Sequence, residues 1–155
     1  MMDPAEVSAD FRLGACGPIA VSVWQSAPQI EHARSSVALL TRLSRAHGEI
    51  GLLAILAEGC ALPDEAVRAT LAEGLVRVEG CIAGVANVVE GQGFRAAALR
   101  GALTSLALLV GARYPQKVFG DVTAAAAFLT ERAPGWPSAL ELSRAVGALR
   151  RGDPP

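Results

Sequence analysis

The hydrophobic positions gather into short apolar runs, each followed by a stretch with helical spacing. The clearest such unit lies between Cys81 and Arg113. Its apolar run, IAGVANVV at 82–89, ends in a Gly-Gln-Gly turn at 91–93 that feeds a second apolar segment to about residue 112. A run this short and apolar predicts a strand covered on both faces. The segment behind it predicts a helix on the sheet, with Phe94, Ala98, Leu103, Leu106, Leu109 and Val110 at helical spacing.

The same reading extends along the chain. Residues 11–15 and 19–24 flank Gly17 and Pro18, turn chemistry that predicts a hairpin whose first strand lies at the sheet edge. Ser26 and Gln29 fit a capping box before a helix with Ile30, Ala33, Val37, Leu40 and Leu43 on one stripe, stopped by Gly48. Residues 50–56 read as a second buried strand. Pro63, Asp64 and Glu65 open a helix with Val67, Leu71, Leu75 and Val78 inward, and acids where the helix dipole favours them. A short strand at 117–119 follows Tyr114 and Pro115. Asp121 then caps a helix that turns Val122, Ala125, Ala126 and Leu129 inward. Pro134 and Pro137 break it around Trp136, which we expect to staple a last helix opened by a Ser138–Glu141 capping box. Leu142, Val146 and Leu149 lie on one side of it. Residues 1–10 read as a flexible leader and the final Gly-Asp-Pro-Pro as frayed.

The resulting order is β-β-α-β-α-β-α-β-α-α. Strands separated by helices imply crossovers of one hand and a mostly parallel sheet. We therefore expect an α/β fold with four or five strands, an N-terminal antiparallel strand, helices packed on the sheet and an extra C-terminal helix. The domain would span 11–132, with the last helix and tail at 133–155. A chain of 155 residues suits one such domain.

Charge narrows the partners. A formal net charge of −1 carries no electrostatic footprint for DNA, RNA or acidic lipid. The most apolar window, 101–112, is too short to span a bilayer. The three cysteines, Cys16, Cys60 and Cys81, have no paired spacing, which argues against a disulfide framework and for a reducing compartment. The expected setting is cytoplasmic.

The hairpin, the three helix-plus-strand units and the ending KVFGDVTAAAAFLTE together resemble the STAS domain, the fold of bacterial anti-sigma-factor antagonists and of related STAS/SEC14-like proteins. The resemblance covers about residues 11–132 and rests on element order rather than on a motif. It implies a non-enzymatic interaction module in bacterial signalling or regulation, whose partner is another protein. Self-association stays open. The antagonist branch carries a phosphorylatable Ser or Thr where its second crossover helix begins. The equivalent stretch here, AEGCALPD at 57–64, has neither, so we expect no phosphosite and no phospho-switch.

Candidate chemistry is sparse. Gly91, Gly93 and Ala96 match a relaxed G-x-G-x-x-A between strand and helix, as a dinucleotide site requires. Asp121, the nearest acid after the following strand, lies 28 residues past Gly93, against about 20 in that motif. Glu90 would also place a negative charge beside the phosphates. A tight turn using glycine for its backbone conformation is the simpler reading. His32 and His47 lack partners at metal spacing, and Cys60 has no base near it in sequence. We thus expect no catalytic residue, no metal and no cofactor. Open α/β sheets bind ligands outside the carboxyl ends of their strands. That rim would gather Trp24, Gln25, Glu58, Cys60, Leu62, Glu90, Gln92 and Arg95 as the partner- or ligand-binding set, with Glu90 paired to Arg95. The alternative is a small-ligand domain taking an anion or nucleotide at the Gly91–Gly93 turn and Arg95.

Overall fold

The computed structural model describes residues 1–153, with the side chains of 106–110 outside the description. Six strands form one sheet: β1 (Met2–Val7), β2 (Phe11–Cys16), β3 (Ile19–Trp24), β4 (Ile50–Leu56), β5 (Ile82–Val89) and β6 (Gln116–Phe119). They lie side by side in sequence order. The first two pairings are antiparallel and the next three parallel. The helices are α1 (Ile30–His47), α2 (Glu65–Arg77), α3 (Phe94–Val110), α4 (Val122–Thr130) and α5 (Ala139–Arg151). A 3-10 turn at Glu79–Cys81 leads into β5.

Strands added one after another by crossovers of one hand put their helices on one face. The packing shows this. Trp24, Leu52, Leu56, Val85 and Val89 face residues of α1, α2 and α3, including Leu40, Val67 and Leu103. The alternate residues, among them Ile19, Val21, Val23, Leu53, Ile55 and Val88, pack beneath α4 and α5. The apolar runs at β3, β4 and β5 are continuous because both faces are covered. The expected neighbours of residues 82–89 are in place, with β4 on one side and β6 on the other.

Several expectations need correction. Residues 1–10 are not a loose leader. Residues 2–7 pair with β2, so the sheet has six strands and the hairpin's first strand is internal. Only Met2 of that segment is buried, at 6% exposure, which is why its pattern reads as coil. Pro4 fits because an edge strand has a side without ladder bonds, and the register shifts between Pro4 and Glu6. The extra C-terminal helix is present as expected, at Ala139–Arg151. Leu142, Val146 and Leu149 are fully buried, in the same cluster as Leu53 and Ile55. Trp136 packs over Gly51 of β4, as a staple would.

The Ser26–Gln29 capping box does not form. Gln29 is itself the cap residue of α1, without a side-chain cap bond, and Ser26 Oγ donates to Asp10 Oδ1 at 2.8 Å. The caps at Asp121 and at Ser138–Glu141 do form. On α3, Phe94 and Ala98 are exposed, while Leu99 and Leu103 pack on the core. The side chains of Leu106, Leu109 and Val110 lie outside the described residues, as do Pro154 and Pro155 of the tail.

Candidate functional site

Parallel pairing aligns the carboxyl ends of three strands. Trp24 pairs with Leu56, and Leu56 with Val89. The backbone continues the ladder one step further, with Ala57 N donating to Trp24 O at 2.9 Å and Glu90 N to Leu56 O at 3.0 Å. The segments after β3, β4 and β5 therefore start side by side, as the sequence suggests. Their side chains then part.

Trp24 turns inward and is 5% exposed. Its ring lies 4.6 Å from Phe11, which stacks on His32 at 4.5 Å, and its Nε1 donates to Ser22 Oγ. Cys60 is buried, with Sγ 3.1 Å from the carbonyl of Ser26. Burial pushes its thiol pKa up. The thiol therefore stays protonated and ties the 57–64 loop to the segment after β3, the opposite of an activated thiolate. Gln25 is exposed at the surface. Leu62 sits at the border of exposure and, with Trp24, borders an apolar cavity of about 320 Å³ between the sheet and α2 and α3.

Glu58, Glu90 and Gln92 turn the other way. They line a cleft of about 900 Å³ closed by the start of α4 at Asp121 and by Arg150 of α5. Arg150, not Arg95, is the partner of Glu90: its Nη2 lies 2.9 Å from Glu90 Oε1. No sequence signal could have found this contact, since the residues are brought together by the docking of α5. Arg100 donates to the carbonyls of Val89 and Gly91 at 3.0 and 3.3 Å, closing the end of β5 onto the turn.

The turn uses glycine for backbone conformation. Gly91 and Gly93 have φ of 108° and 91°. A side chain at Gly91 would also meet Glu58, whose Cγ lies 3.0 Å from a Cβ built there. The cleft beside the turn carries three carboxylates, from Glu58, Glu90 and Asp121, against the one guanidinium of Arg150. Such a lining opposes a phosphate or other anion. Among the described residues, no group of three or more His, Cys, Asp or Glu could hold a metal ion. No helix among them is long and apolar enough to cross a membrane.

Beyond the turn the chain presents Phe94 and Arg95 outward. Phe94 is 90% exposed. Arg95 is exposed too, and no described carboxylate lies within 4.0 Å of its guanidinium. The periodicity reading placed Phe94 in the core and so missed it. A helix-leading Phe directly after a Gly-Gln-Gly turn is the signal that could have found it, since the turn throws that residue clear of the sheet. Compared with protein-family models, with curated proteins and with solved structures, the chain matches none of them.

Proposed function

We propose that the chain is a non-enzymatic, STAS-like interaction module of a bacterial regulatory system, and that it binds a partner protein through the Gly91–Gly93 turn and the first residues of α3. The opening hairpin and the three successive helix-plus-strand units support the STAS-like reading. The 57–64 loop holds no phosphoacceptor and is pinned by its buried Cys60, so the module works without a phospho-switch.

The observation that carries the proposal is Phe94. Burying a phenylalanine is worth about 1.5–3 kcal/mol, and this chain leaves it 90% exposed at the start of α3. Arg95 stands beside it, and Ala97, Ala98, Gly101 and Ala102 of α3 are also exposed. An aromatic anchor with an arginine next to it is the pairing enriched at interface centres. Trp24 and Cys60 are buried and add nothing to this surface, and Glu90 is held in the neighbouring cleft by Arg150.

The test is a photo-crosslinking amino acid at position 94 in cells of the source organism, with position 144 on α5 as control. The proposal expects a discrete light-dependent adduct from position 94 alone. Identical patterns from both positions, or no adduct at 94, would remove its basis.

A further inference from the structure

The outer faces of α1 and α2 carry an arrangement that the turn does not use. Gly74 of α2 lies against Val37 of α1 so closely that any Cβ there would collide with the valine side chain. The two helices therefore cross in close contact, and a groove of about 870 Å³ runs along the crossing. Arg34, Ala38, Thr41 and Arg45 form one wall, at i, i+4, i+7 and i+11 of α1. Thr70 and Arg77 belong to the α2 wall, and Arg42 completes the basic set. Val37, Ala38, Ala46 and Gly74 give the groove an apolar share of small side chains.

The charge is concentrated. Four of the chain's 14 basic residues line this groove against one acidic residue, Glu73, although the net charge of the chain is −1. Among the described residues, no carboxylate lies within 4.0 Å of Arg34, Arg42, Arg45 or Arg77. Ordinary solvated helix faces intersperse both signs at i, i+4 spacing. Here the arginines face a shared trough instead.

We propose that this groove is a second docking surface, and that its occupant is an acidic amphipathic helix of a partner protein. The wall from Arg34 to Arg45 is about 16 Å long at 1.5 Å per residue, three turns of a bound helix. A convex helix fits a trough between two helices. Its small apolar stripe would meet Val37, Ala38 and Ala46, and its flanking carboxylates would meet arginines, whose planar guanidinium takes a carboxylate bidentately. A second copy of this chain is a poorer occupant, because its acidic surface, around Glu58, Glu90 and Asp121, is itself a cleft. Two concave surfaces do not seat in one another.

The probe is a fluorescent synthetic amphipathic helix about 18 residues long, with an alanine-leucine stripe flanked by glutamates. Its counterpart carries lysines in their place. The intact chain should bind the acidic helix at least ~10-fold more tightly than the lysine helix, and more weakly as salt rises. The Arg34→Ala, Arg45→Ala, Arg77→Ala triple variant should lose at least ~10-fold, with its folding verified by an unchanged melting curve, and Glu73→Gln should tighten binding. Phe94→Ala should bind the acidic helix like the wild type, which separates this surface from the turn. Equal affinity for both peptides, or an unaffected triple variant, overturns the proposal. So does tighter arginine-dependent binding of a single-stranded oligonucleotide or of anionic vesicles, or a dimer of the chain that the triple variant dissolves.

Discussion

The pairing of Glu90 with Arg150 fixes how the candidate surface is built, and it can be measured. Arg150 Nη2 lies 2.9 Å from Glu90 Oε1, with the two side chains 33% and 25% exposed. Unit charges about 4 Å apart attract by ~4 kcal/mol at an effective dielectric near 20. Partial desolvation and the ordering of two long side chains offset most of that. The contact is also imperfect, because Nε and Nη2 of Arg150 are buried without a well-aligned hydrogen-bond acceptor among the described residues. A coupling of about 1 kcal/mol is left. The assay is a double-mutant cycle of Glu90→Gln and Arg150→Met by urea unfolding. At an m-value near 2 kcal/mol/M, that coupling corresponds to roughly 0.5 M in the midpoint. The matching cycle of Glu90→Gln with Arg95→Met should give a coupling below ~0.3 kcal/mol. A larger coupling to Arg95 than to Arg150 would return Glu90 to the turn and refute the reasoning.

Other outcomes follow from single contacts. A Cβ at Gly51 would lie 2.8 Å from Trp136 Cζ3, so Gly51→Ala should cost about 1–3 kcal/mol in chemical unfolding, and less in a Trp136→Leu background. The Glu141 carboxyl pKa is lowered by its side-chain and backbone hydrogen bonds from Ser138. A depressed folded-state pKa contributes stability that is present above the unfolded value and is lost as pH falls through the folded one. The stability gap between wild type and Glu141→Gln should therefore be full well above the ordinary glutamate value of about 4.3 and shrink as pH falls below it. A gap that widens on acidification would contradict the cap. NAD or ATP at ~1 mM should leave the melting temperature unchanged, whereas a saturable rise would restore the nucleotide reading of the turn.

What the sequence revealed follows from how local each signal is. The strand at residues 82–89, its glycine turn and the helix start at Phe94 were legible to the residue, because an apolar run and a Gly-x-Gly turn are both local. The caps at Asp121 and Ser138 were legible for the same reason. Residues 2–7 were not: Asp3, Pro4 and Glu6 look like coil, and the strand is held by its pairing with the adjacent β2 rather than by an apolar pattern of its own. Phe94 was misplaced because α3 is apolar around most of its circumference, which leaves its inward face undefined by periodicity. Leu99 and Leu103 take that face. The partner of Glu90 was invisible because it depends on where α5 docks. The capping box at Ser26 failed although its residues match, since α1 starts only at Ile30 with Gln29 in the cap position, which leaves Ser26 outside the first turn. The rim itself was well placed as backbone, but burial sorts its side chains in ways that spacing does not encode.

The central claim is that a partner binds where Phe94 and Arg95 stand outward. Its most direct measurement is the affinity of the crosslinked partner, purified, for four versions of the chain: wild type, Phe94→Ala, Arg95→Ala and Arg144→Ala. An aromatic anchor and its neighbouring arginine typically carry ~1–2 kcal/mol or more each. Phe94→Ala and Arg95→Ala should each raise Kd about tenfold, with Arg144→Ala unchanged. Equal Kd values for wild type, Phe94→Ala and Arg95→Ala would contradict the claim.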